Sequence, residues 1–144
     1  MIRPAQRADM DILVSIWLTA SFEAHDFIAK LYWREQQRAM KNEYLPQART
    51  LVLESRGEIC GFVSLMDTQI AALFIDVERQ GKGYGKQLLD WVQNEYLFLS
   101  LQVYAKNERA IQFYKRSGFQ IVFEQMDDAT SEREYVMEWK KAAK

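Results

Sequence analysis

The stretch Gln80-Gly81-Lys82-Gly83-Tyr84-Gly85 places three glycines and a lysine between an apolar run and an amphipathic one, and Lys86 follows. Residues of this kind bind anions. Backbone N–H groups at a helix start lack partners, the helix dipole adds positive potential, and glycine lets the main chain approach a ligand closely. The spacing restricts which anion is held. A dinucleotide fingerprint starting at Gly81 needs glycine at position 86, where Lys86 stands. A Walker-type loop needs a first glycine where Gln80 stands and a Ser or Thr after Gly85-Lys86, where the chain has Gln87. Neither nucleotide pattern holds, which leaves another phosphate-bearing ligand or a bare strand-to-helix turn. Groups able to take a proton lie nearby or in the first third of the chain: Asp76 and Glu78 just before the loop, and His25, the single histidine.

These residues need elements to position them. Ile2 to Gln6 reads as a short strand, and Ile12, Leu13, Ile16, Trp17 and Ala20 recur at helical spacing. A second helical pattern runs from Asp26 to Tyr44, with Pro46 as its stop signal. "TLVLES", "EICGFVSLM" and "QIAALFIDV" read as three strands of an antiparallel meander, the first two joined by a hairpin turn at Arg56-Gly57. After the glycine loop, Leu88, Leu89, Trp91, Val92 and Tyr96 predict a helix, and "LSLQVY" a buried strand beside the earlier one. A helix over Glu108 to Ser117 ends at Gly118, and strands at Phe119 to Gln125 and Glu134 to Trp139 follow. Cys60 falls at a buried strand position, and the four tryptophans read as core, with Trp33 and Tyr32 as possible cleft residues.

The loop matches the Gln/Arg-x-x-Gly-x-Gly/Ala pattern of the GCN5-related N-acetyltransferase family, and "YAKNERAIQFYKRSGF" resembles that family's second signature. The chain is therefore identified as resembling small single-domain bacterial members over its whole length. The resemblance implies an α/β (α+β) fold with a mixed, mostly antiparallel sheet of about seven strands, four helices, and a fourth and fifth strand that splay apart. It implies direct transfer of an acetyl group from acetyl-CoA to a primary amine, a protein lysine or N-terminus or a small molecule, in a ternary complex. A coenzyme A sensing module without turnover is the alternative. The cosubstrate would be held by main-chain groups of Ile75 and Val77, by Gln80, Gly81, Lys82, Gly83, Tyr84, Gly85 and Lys86, and by Asn107. Tyr114 would be the general acid, and His25 or Asp76 the base. From the residues alone, Asn107 also fits a helix N-cap and Tyr114 a core aromatic. The acidic loop "MDDATSERE" would border the acceptor and suit a cation.

The 144 residues fit a single domain over 1–144, and 49% hydrophobic with 27% charged residues describes a globular chain. A formal net charge of -1 offers no global field for nucleic acid or an anionic membrane, so neither is an expected partner. One cysteine forms no internal disulfide, and "MIRPAQRADMDILVSIWL" carries charges inside its apolar stretch, which together predict a cytoplasmic protein without a targeting segment. No metal is expected. The acceptor's identity and the choice between monomer and homodimer are left open by the sequence.

Overall fold

A computed structural model describes residues 1–142. The chain runs β1 (Ile2–Pro4), α1 (Met10–Ala24), α2 (Lys30–Ala39), α3 (Leu45–Gln47), β2 (Arg49–Ser55), β3 (Glu58–Met66), β4 (Gln69–Ile75), α4 (Tyr84–Glu95), β5 (Phe98–Tyr104), α5 (Glu108–Arg116), β6 (Gln120–Asp127) and β7 (Glu132–Lys140). A π-helical turn at Met40–Tyr44 joins α2 to the single turn of α3. Pro46 therefore does not stop the helix at Tyr44 as expected. It sits in the first turn of α3, where its missing N–H would have had no helical acceptor anyway.

The seven strands form one sheet in the order β1-β2-β3-β4-β5-β7-β6. All neighbours are antiparallel except β4 and β5, which run parallel because α4 carries the chain back across the sheet. The meander begins with the predicted hairpin: Arg56 at φ 55° and Gly57 at φ 78° have the left-handed pair of values that two-residue hairpins favour. Leu13, Val14, Ile16, Trp17 and Ala20 give α1 its buried stripe, which packs with Trp33, Val52 and Phe62 on one face of the sheet. Leu88, Leu89 and Val92 of α4 and Ile111 of α5 pack with Leu99, Phe119 and Met137 on the other. Cys60 lies in that second core, 1% exposed.

One irregularity shapes everything that follows. Ser64 pairs with Ala72 and Leu65 with Ile70, so Ala71 bulges out of β4. At that same place β4 stops pairing with β5: the register holds only at Gln69 with Ser100 and Ile70 with Leu101. Beyond Ile70 the two strands diverge, and the expected splay is present.

Candidate active site

The divergence leaves one edge of β4 open. Asp76 N–H donates to the Cys60 carbonyl at 2.8 Å, and Ile75 stands opposite Gly61. Strand alternation then turns the main-chain groups of Phe74 toward β3 and those of Leu73 and Ile75 toward the gap. Gln80 Nε2 donates to the Ile75 carbonyl at 3.2 Å, tying the following loop to this edge. The strand ends at Ile75, earlier than "QIAALFIDV" implied, and Val77 opens a short 3-10 turn instead of continuing it.

The glycine loop follows that turn. Gly81 and Gly83 hold φ near 80° and 84°, a region side-chain-bearing residues rarely adopt, and Gly83 caps α4. The first helical bond of α4 runs from Gln87 N–H to the Gly83 carbonyl, which leaves the amides of Tyr84, Gly85 and Lys86 without helical acceptors. They border a cavity of about 830 Å³ that also takes in Gln80, Ile75, Asn107 and Phe113. Its charged lining is mostly cationic: Arg79, Lys86, Lys106, Arg109 and Arg116 against Glu23 and Glu108. The fold of the loop, its free amides and this charge fit a phosphate-bearing ligand. Lys82 lies outside the cavity, exposed; Lys86 forms an ion pair with Asp90 at 2.8 Å, Arg79 and Lys106 pair with Asp76 and Glu132, and Arg109 reaches Gln80 Oε1 at 3.4 Å. Arg79, Lys106, Arg109 and Arg116 were not singled out in the sequence, although Arg79 immediately precedes the glycine loop and the other three lie within "YAKNERAIQFYKRSGF".

A second cavity of about 500 Å³ opens on the other side of the gap. Trp17, His25, Tyr32, Trp33, Tyr44 and Tyr104 give it aromatic walls, and Asp127 and Glu134 supply carboxylates. Among the described residues that line it, none is lysine or arginine. The two cavities share Leu73, Phe74, Asn107, Ala110 and Tyr114, so they meet at the splay.

Tyr114 sits at that junction on α5, 9% exposed, its ring packed edge-on against Phe113 and Phe119 at 5.2 and 5.5 Å. Burial pushes its phenol above the ordinary value near 10, so it is fully protonated at neutral pH. Asn107 serves as the α5 cap, accepting from Ala110 N–H at 3.3 Å, while its Nδ2 lies 3.3 Å from His25 Nε2. Its capping bond leaves Asn107 part of the wall shared by both cavities.

His25 is buried at the end of α1, stacked on Trp33 at 5.2 Å and edge-on to Tyr104 at 5.1 Å. Burial lowers its pKa to about 4, so the ring is neutral at physiological pH and only a weak proton acceptor. Nε2 faces the Asn107 amide and therefore acts as acceptor, which assigns the proton to Nδ1, a buried atom without a partner among the described residues. Asp76, expected as a candidate base, points away from the junction. Its carboxylate accepts from Arg79 at 2.8 Å and caps the turn at Glu78 N–H, and it lines neither cavity. The acidic loop is also shorter than expected, because β6 runs to Asp127 and β7 begins at Glu132. Among the described residues no three His, Cys, Asp or Glu side chains cluster.

Known proteins with this architecture narrow the chemistry. The family model described as an acetyltransferase (GNAT) domain matches residues 46–121. The chain is 37% identical over 140 residues to the peptidyl-lysine N-acetyltransferase YiaC of Escherichia coli (strain K12), covering 96% of each. It is 31% identical over 121 residues to the peptidyl-lysine N-acetyltransferase YjaB of Salmonella typhimurium, covering 83% of each. The solution structure of apo-form YjaB from Escherichia coli superposes with a TM-score of 0.86 at 28% identity, covering 99% of this chain and 98% of that one. The PaiA N-acetyltransferase of Thermoplasma acidophilum, solved with coenzyme A, shares the fold at a TM-score of 0.81 and 20% identity, over 98% of each chain. Sequence and fold agree, and this chain belongs to the GCN5-related N-acetyltransferase (GNAT) family of acetyl-CoA-dependent acetyltransferases.

Proposed function

We propose that the chain acetylates lysine side chains of proteins, by direct attack of the amine on the thioester of acetyl-CoA in a ternary complex. The observation that carries this reading is the meeting of two cavities of opposite charge at Tyr114. The cationic one suits the phosphates of acetyl-CoA, which the N-terminal amides of α4 and Arg109 would hold. The aromatic, anionic one suits an alkylammonium, and the relatives named as peptidyl-lysine N-acetyltransferases favour a protein lysine over a small amine.

Each residue at the junction then has a defined task. The main-chain N–H groups of Leu73 and Ile75 face the gap, where the thioester oxygen would gain negative charge. Tyr114, protonated and buried beside it, gives its Oη proton to the departing thiolate. His25 orients Asn107 and stays neutral. Deprotonating a lysine of pKa near 10.4 at pH 7 costs about 4.6 kcal/mol, against about 1 kcal/mol for an α-amine near 7.8. The carboxylates and phenols of the acceptor cavity would hold the water that carries this proton away.

The test is a steady-state assay of coenzyme A thiol release with lysine peptides, peptides with a free N-terminus, polyamines and aminoglycosides. Lysine peptides should show the highest kcat/KM. A small amine that exceeds them by about tenfold, a difference of about 1.4 kcal/mol in transition-state binding, removes the protein-lysine reading.

A further inference from the structure

Two carboxylates of the acceptor cavity, Asp127 and Glu134, take part in no ion pair among the described residues, although Glu132 and Glu124 on the same hairpin pair with Lys106 and Arg133. Glu134 accepts from Gln125 Nε2 at 2.8 Å, a neutral partner on its own hairpin. Asp127 is built differently. Its Oδ2 accepts from Tyr104 Oη at 2.7 Å and Thr130 Oγ1 at 3.0 Å, and its Oδ1 from Ala129 N–H at 3.1 Å. Three neutral donors fix the carboxylate in one orientation without cancelling its charge, and lone pairs remain for a ligand.

The surroundings point to the same ligand. Tyr104, whose phenol burial and its bond to Asp127 hold above the ordinary range, stays a donor and packs edge-on against His25 and Phe27 at 5.1 and 5.7 Å. His25 and Trp33, 8% and 7% exposed, line the cavity and each keeps one ring nitrogen without a partner among the described residues. Neutral aromatic walls facing an uncompensated carboxylate are the chemistry that holds an alkylammonium: ring faces attract the cation, and the acid fixes its position.

We infer that Asp127, presented by Tyr104, is the residue that selects a positively charged amine for the acceptor cavity. The inference rests on the reading above that this cavity receives a lysine side chain. It gives Asp127 a role in recognition and also in the transition state, because an amine nitrogen that attacks a thioester bears positive charge before it releases its proton. Asp127 is a specificity residue in this account; the proton leaves by way of water.

The experiment measures both KM values for a lysine peptide and acetyl-CoA, at increasing sodium chloride, in the wild type and in Asp127→Asn, Asp127→Glu and Tyr104→Phe. Asparagine keeps an oxygen to accept from Ala129 N–H and removes the charge, while its amide nitrogen takes the place of Oδ2 and donates to the hydroxyls of Tyr104 and Thr130, which accept as well as donate. Asp127→Asn should lower kcat/KM about 10- to 100-fold through the peptide KM, the range of a lost charged hydrogen bond, with the acetyl-CoA KM within about twofold. Asp127→Glu should recover part of the loss, and Tyr104→Phe should lose less than Asp127→Asn. The wild-type peptide KM should rise with salt and that of Asp127→Asn should rise less. A peptide KM that Asp127→Asn leaves unchanged, or a wild-type peptide KM that salt does not move, overturns the assignment while the function stands. No turnover of any amine by the wild type overturns the functional reading and this assignment with it.

Discussion

A phenol in water gives up its proton near pH 10, and at Tyr114 burial moves that point higher, so the hydroxyl is a donor over the whole physiological range. Tyr114→Phe keeps the ring against Phe113 and Phe119 and removes only the hydroxyl. It should lower kcat by roughly 10²- to 10³-fold with little change in acetyl-CoA binding, as calorimetry and steady-state rates would show. Unchanged turnover removes Tyr114 from the mechanism. At His25 burial works in the opposite direction. Its folded pKa of about 4 lies below the ordinary 6.5, so the unfolded chain binds the proton first as pH falls. Stability is fully present above pH 6.5 and is lost between there and about pH 4, by about 3 kcal/mol at most. Urea midpoints measured across that window should fall in the wild type and fall less in His25→Gln. Phe27 stands two residues from His25, but Trp33 and Tyr104, which complete its aromatic surroundings, come from α2 and β5, so the local pattern did not announce its burial.

Among the elements, β4 carries the most consequence, since its bulge at Ala71 opens the edge on which the site is built. Gly61 of β3 keeps that edge in place. A Cβ there would overlap Ile75 Cδ1 and lie 2.7 Å from the Phe74 carbonyl oxygen, so β4 would have to move. Gly61→Ala should therefore destabilise the fold by about 1–3 kcal/mol, an overpacking cost, and also raise the acetyl-CoA KM. A thermal melt that drops without any change in KM would separate packing from site geometry. Most elements were legible from periodicity: β3 runs from Glu58 to Met66 as read, and α5 starts at Glu108 as read. The misreadings fell where backbone chemistry overrides pattern. Pro46 looked like a stop but is tolerated in a first turn, and β4 ends early because Asp76 caps a turn with Glu78. The bulge itself left no mark in the alternation of "QIAALFIDV", since both faces of β4 are largely apolar.

At the scale of the molecule, both cores press on one sheet, Trp17 and Trp33 on one face and Trp91 and Trp139 on the other. Fluorescence and far-UV circular dichroism should therefore report the same urea transition, as a single cooperative unit requires. Two separated midpoints would mean that the faces unfold apart. The glycine signature was readable because glycines at left-handed backbone positions and a helix start recur as a local pattern. The acceptor side was legible in part: Tyr32, Trp33 and the acidic loop holding Asp127 and Glu134 were expected there, whereas Tyr104 on β5 meets Asp127 only because the fold brings the two strands to one cavity. The cavities touch at Leu73, Phe74, Asn107, Ala110 and Tyr114, and this narrow waist has a pharmacological consequence. A lysine peptide joined through its side-chain nitrogen and a short acetyl bridge to the sulfur of coenzyme A would thread the waist and occupy both chambers as one molecule. Such a conjugate meets the cost of immobilisation once instead of twice, so it should bind about 10²-fold or more tighter than either half. An affinity no better than that of coenzyme A alone would show that the chambers do not communicate.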